Sequence, residues 1–159
     1  MNNKFFLYLF FLTLTLSCTK EKVKYHNFKD NTWNSNKIVK FNINFEDTTR
    51  LYSLGFSIRH FTSYPYQNLI FFTHHFFNDK KISTDTFNIN LAQKDGKWHG
   101  FGKSDIRELK EVNYCVDQFF DKGIHNFEIE LAMRENNNIK IDKLPFISAL
   151  SLYVLDINE

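Results

Sequence analysis

Val39-Lys40-Phe41-Asn42-Ile43-Asn44-Phe45 alternates without a break: Val39, Phe41, Ile43 and Phe45 share one face, Lys40, Asn42 and Asn44 the other. A two-residue period of this kind belongs to a strand with one dry and one wet side. The pattern continues on both sides of a turn at Asp47-Thr48-Thr49. Tyr52, Leu54, Phe56 and Ile58 make the inner face of a second strand, with Ser53, Gly55, Ser57 and Arg59 expected outside. Pro65 in Tyr64-Pro65-Tyr66 stops ladder hydrogen bonding, so residues 62 to 68 read as a loop. Leu69 to Phe77 is apolar at nearly every position, as in a central strand covered on both faces.

Thr84 to Leu91 alternates again, with Phe87, Ile89 and Leu91 inward, and Lys94-Asp95-Gly96-Lys97 supplies a hairpin turn. Gly100 and Gly102 leave one face bare at two sites, a mark of a bulge or close backbone approach. Ile106 and Leu109 sit at helical spacing behind Ser104 or Asp105, so residues 104 to 110 read as a turn or one helical turn. Val112 to Phe119 reads as a strand and Gly123 as a turn. Phe127, Ile129, Leu131 and Met133 form the inner face of a long strand, with Glu128, Glu130 and Arg134 outside. Asn136-Asn137-Asn138 is a loop, and Ala149 to Ile157 a closing strand. The expectation is an all-β, antiparallel β-sandwich of about eight or nine strands, jelly-roll or Ig-like, with little helix. An eight-stranded barrel fits the strand count as well.

Ahead of this domain the chain changes character. Met1-Asn2-Asn3-Lys4 is basic, Phe5 to Leu16 is apolar, and Ser17 precedes Cys18. The apolar run is too short for a permanent membrane span and has the layout of a secretory signal with a lipid-attachment cysteine. Residues 1-17 are therefore expected to be removed and Cys18 to carry the lipid. Residues 18-36, polar and rich in Lys and Asn, read as a tether that becomes an edge segment, and 37-159 as the sandwich domain.

The mature chain would be nearly neutral and has no basic block, which argues against a nucleic-acid surface. With Cys18 lipidated only Cys115 remains, so no intrachain disulfide is available and stability must come from the core. Fifteen of the nineteen phenylalanines lie beyond residue 17, with Trp33 and Trp98, while Ala92, Ala132 and Ala149 are the only alanines. That usage favours strands. Cys115, between Tyr114 and Val116, reads as a packed thiol.

Residue patterns for chemistry are missing. His74 and His75 are adjacent on a strand and point to opposite faces, so they cannot share a metal ion without a bulge; His60 and His75 read instead as a cross-strand surface pair. Asp85, Asp95, Asp105, Glu108 and Glu111 fall in turn-like or polar positions. No nucleophile elbow or phosphate-cradling loop occurs. No enzyme activity, metal, cofactor or small-molecule substrate is expected. Tyr64 and Tyr66 in the proline loop and Trp98 beside the Asp95-Gly96 turn are the candidate contacts to a protein partner or a glycan, set against the plainer reading that they are core.

An ordered series of these features resembles the GldH family of gliding-motility lipoproteins of the Bacteroidota. The series comprises Ser17-Cys18, Trp33, Asp47-Thr48 before Tyr52, Ile58-Arg59 ahead of Tyr64-Pro65-Tyr66-Gln67-Asn68-Leu69, Thr84-Asp85-Thr86, Asp95-Gly96-Lys97-Trp98 into Gly100-Phe101-Gly102, Asp105-Ile106 and Met133-Arg134. The resemblance implies a lipid-anchored, non-catalytic envelope component that supports gliding and the associated secretion of surface adhesins through contacts with other envelope or motility proteins. Only Cys18 carries over with a defined role. His99 stands where an apolar residue is expected, and Thr15 where leucine is commonest before such a cysteine. Thr19-Lys20-Glu21-Lys22 lacks the acidic cluster that resembles a surface-export tag, which favours the periplasmic face. A glycan-binding envelope lipoprotein is the alternative.

Overall fold

The computed structural model describes residues 21–135 and 139–157. The signal segment, Cys18 and the Asn136-Asn137-Asn138 loop lie outside the described residues. The chain runs β1 (Lys22–Asn27), a single 3-10 turn (Lys29–Asn31), β2 (Thr32–Asn34), β3 (Val39–Phe45), β4 (Tyr52–Phe61), β5 (Asn68–Phe77), β6 (Lys80–Asn90), β7 (Ile106–Gln118), β8 (Gly123–Leu131), β9 (Arg134–Glu135), β10 (Ile139–Lys140), β11 (Lys143–Pro145) and β12 (Ile147–Asp156).

Two four-stranded antiparallel sheets hold the core, ordered β1-β12-β4-β7 and β3-β8-β5-β6. The pairings are nested: β1 with β12, β3 with β8, β4 with β7 and β5 with β6. A chain folded into one long hairpin and then wrapped gives this order, which is that of a jelly roll. Between the two sheets Phe56 meets Phe71 edge-on at 5.2 Å, and Phe71 stacks on Phe87 at 5.2 Å. Each fully buried phenylalanine contributes about 2–3 kcal/mol of apolar burial. The short β2·β11 pair sets Trp33 opposite Leu144 and closes one end, where Trp33 stacks on Phe28 at 4.9 Å.

In β3 the observed burial follows the sequence alternation at every residue. Three expectations need correction. The outer positions of β4, Ser53, Gly55 and Ser57, are buried: Tyr153 lies over Gly55, whose missing side chain makes room for its ring, and Ser57 donates to Glu108 at 2.9 Å. β5 is central in its sheet, but only Leu69, Phe71, Thr73 and His75 are fully buried; Ile70, Phe72, His74 and Phe76 face outward and are half-covered. Ile106 to Lys110 is neither turn nor helix but the start of β7. There Arg59 pairs with Glu108 at 2.8 Å, and Gly100 and Gly102 press against the carbonyls of Glu108 and Ile106, leaving no room for a Cβ at either.

Candidate functional site

Each sheet ends in a strand with a free side, and β6 and β7 end on the same flank of the sandwich. The β5–β6 reversal uses Asn78 and Asp79, both at positive φ, which places β6 as the outermost strand of its sheet. Between β6 and β7 lies a cleft of about 400 Å³, lined by Ile82, Ser83 and Asp85 from one edge and Tyr114, Cys115 and Gln118 from the other. Phe119, Phe120 and Asp121 come from the β7–β8 connection, and His75, Phe77 and His125 form the floor.

Tyr114 bridges the two sheets at this flank. Its hydroxyl donates to Asp85 Oδ2 at 3.3 Å and lies 3.3 Å from Ser83 Oγ, which itself donates to Asp85 at 2.9 Å. Burial pushes the phenol up to about 12, so it stays protonated and serves as a donor. Burial also pushes the Cys115 thiol up to about 11, which keeps it in the unreactive form.

The floor is an imidazole pair. His125 Nε2 lies 2.9 Å from the Asp121 carbonyl oxygen, which only accepts, so the proton is on Nε2 and Nδ1 is left as acceptor for His75 Nε2–H at 2.8 Å. His75 stacks on Phe127 at 4.6 Å, and His125 on Phe77 at 4.3 Å. Burial lowers both imidazoles, His75 to about 4, so the pair is neutral at neutral pH. The cleft thus offers aromatic faces, a neutral imidazole pair and two carboxylates, and its one thiol is protonated.

The contacts expected from sequence lie elsewhere. Tyr64, Tyr66 and Trp98 do come together, at the other end of β5, around His60. Tyr64 is only 3% exposed and its hydroxyl donates to the Asn68 carbonyl at 2.9 Å, so it staples the proline loop and presents no contact surface. Tyr66 is half-buried and donates to the Glu135 carboxylate, a bond that pushes its phenol up to about 12. Trp98 is half-buried with its ring 4.8 Å from that of His60. His60 is buried in the first sheet, its Nδ1 2.9 Å from the Phe61 carbonyl oxygen, and is no neighbour of His75; the partner of His75 is His125, fifty residues away. The cleft residues carry no local motif. The usable signal was the apolar pair Phe119-Phe120 directly before the Asp121-Lys122-Gly123 reversal.

Residues 21–153, from the threshold of β1 into β12, match the family model described as GldH lipoprotein. The chain belongs to the GldH lipoprotein family. Among curated relatives, the "Gliding motility lipoprotein GldH homolog" of Christiangramia forsetii is 29% identical over 134 residues, 84% of this chain and 83% of that protein. The "Gliding motility lipoprotein GldH" of Flavobacterium johnsoniae is 30% identical over 139 residues, 86% of this chain and 82% of that protein. The span shared with the GldH family takes in both sheets, the Tyr64 loop and the whole β6/β7 flank.

Proposed function

We propose that this chain is an envelope lipoprotein, held on a membrane through Cys18 and facing the periplasm, that supports gliding motility and the associated secretion of surface adhesins by contacting other proteins of that machinery. The observation that carries this reading is the near full-length match to the GldH family, two of whose members bear gliding-motility names. The shape is consistent with a contact role. A closed aromatic core makes a rigid block, and a free flank with half-covered apolar side chains is where a second chain can add. The protonated Cys115 thiol is in its unreactive form, which suits binding better than nucleophilic chemistry. A glycan reader built on Trp98 finds less support, because the indole packs against His60.

Lipid on Cys18 would fix the sandwich at a membrane surface. Two or three acyl chains hold a protein on a bilayer, where one would leave it exchanging with solvent. The test is deletion of the gene in a gliding host. Loss of colony spreading, restored by the wild-type chain but not by Cys18→Ser at equal protein level, is the expected result. Normal spreading in the deletion strain would overturn the motility reading, and a membrane-extracted protein without lipid mass on Cys18 would overturn the anchor.

A further inference from the structure

We propose that the β6/β7 cleft receives a lysine or arginine side chain carried by an extended segment of a partner protein, the segment lying along the free strand edges. The proposal rests on the protein-contact reading above and specifies its chemistry.

Charge argues it first. The twelve residues that line the cleft include two carboxylates, Asp85 and Asp121, and no lysine or arginine. On the opposite flank, between β1 and β3, two of the three carboxylates that line the cleft are ion-paired: Arg50 reaches Asp156 at 2.7 Å and Asp47 at 3.1 Å, while Glu46 accepts from the Asn44 amide at 3.3 Å, and Lys22 lines the cleft too. The same fold thus has one flank with basic side chains set among its acids and one with none in its wall. Ser83 and Tyr114 hold the Asp85 carboxylate in place without cancelling its charge. The histidine pair on the floor is neutral and adds no repulsion.

Shape and surface chemistry agree. A cationic side chain is a charged head on an apolar stem, and its stem needs apolar walls while its head is drawn to ring faces. Phe77, Tyr114, Phe119 and Phe120 provide rings, and Ile82, 53% exposed, and Phe119, 63% exposed, form apolar shoulders at the rim. A free amine would use only the cleft. A polypeptide also uses the edges: among the described residues no strand pairs with the outer side of β6, and β7 has only the isolated Phe101·Glu108 bridge near its start, so the stretch from Val112 to Gln118 is open to main-chain hydrogen bonding.

The probe is an acetylated, fluorescent peptide of alternating Thr and Val with one central Arg, compared with the same peptide carrying citrulline, which keeps the shape and removes the charge. Anisotropy is read with the full-length lipoprotein in detergent, wild type and the Asp85→Asn/Asp121→Asn double variant. Both aspartates are exposed, and asparagine at 85 keeps an acceptor oxygen for the Ser83 and Tyr114 hydroxyls, so the variant is expected to stay folded, which its melting checks. The expected result is binding of the Arg peptide at least about ten-fold tighter than citrulline, falling to the citrulline level in the variant. Equal affinity for the two peptides, no binding at all, or an affinity untouched in the variant would each overturn the proposal. The motility reading fails separately: it falls if the deletion strain glides, whatever the peptides do. If the double variant restores spreading as fully as wild type, the cleft proposal falls while the motility reading stands.

Discussion

The two open flanks of the sandwich are opposite edges of the same two sheets, and their clefts differ in charge. Between β1 and β3 the cleft is small, about 280 Å³, and is laced by Arg50 to Asp47 and Asp156. Between β6 and β7 it is larger, walled by rings, and its carboxylates have no basic side chain in the wall. The partition between them is a stack of Phe45 on Phe120 at 4.2 Å, 6° from parallel, with Phe45 lining one cleft and Phe120 the other. The contrast teaches that closing a jelly roll does not consume both edges equally. One flank sets Arg50 and Lys22 among its acids, and the other has no basic side chain in its wall.

Removing the partition is the most damaging way to break this contrast. Phe120→Ala opens the two clefts to one another and deletes the ring that Phe45 and His125 pack against. A loss of about 3–5 kcal/mol in urea unfolding is expected. A loss under about 1 kcal/mol would mean the flanks are not separated by this stack.

The histidine floor gives the β6/β7 flank a pH dependence of its own between about 6.5 and about 4. An unfolded chain protonates its imidazoles as pH falls through 6.5, while folded His75 resists until about 4. The unfolded state therefore binds more protons in that window, and stability declines as pH drops from about 6.5 to about 4, on the order of 2 kcal/mol. In His75→Asn the slope of unfolding free energy against pH should flatten across that window, whatever the absolute cost of the substitution. An unchanged slope would place the acid sensitivity elsewhere.

Arg50→Met sharpens the comparison from the other side. It leaves Asp47 and Asp156 without the guanidinium that neutralises their wall, and at this half-exposed position the cost should be about 1 kcal/mol, shrinking in high salt. The same variant should leave binding of the Arg peptide at β6/β7 unchanged. A shift in that affinity would mean the flanks are coupled.

How legible each flank is in the sequence follows from its regularity. β3 pairs with β8 in unbroken register, so side chains keep a strict two-residue period and the strand can be read from its letters. The Asp95-Gly96 reversal is equally plain, with Gly96 at φ +86. β7 is different. Its register against β4 slips at three places, and Leu109 opposite Ile58 is followed by Val112 opposite Phe56, three residues later. Residues 104 to 110 read wrongly for a different reason: Ile106 and Leu109 are three apart, as on a helix face, yet both pair in unbroken register with Phe61 and Ile58, so the β4 ladder overrides the local pattern. The same holds for the site. His75 and His125 become partners only through the β5·β8 register, and Asp85 meets Tyr114 only because two sheet edges end on one flank. Tyr64 and Trp98 stand out in the sequence because aromatic residues in loops are conspicuous, yet a loop beside a jelly-roll core is also where such rings are used to seal it.

The central claim is that the β6/β7 flank, and not the β1/β3 flank, meets the partner. Lys22 on β1 lines the β1/β3 cleft and Phe119 beside β7 lines the β6/β7 cleft, and both are exposed, which makes them a matched pair. A photocrosslinking benzoylphenylalanine placed at each in turn, in a gliding host, tests the claim most directly. A protein adduct is expected from position 119 and none from position 22; an adduct from position 22 with none from 119 would overturn the assignment of the partner to the β6/β7 flank.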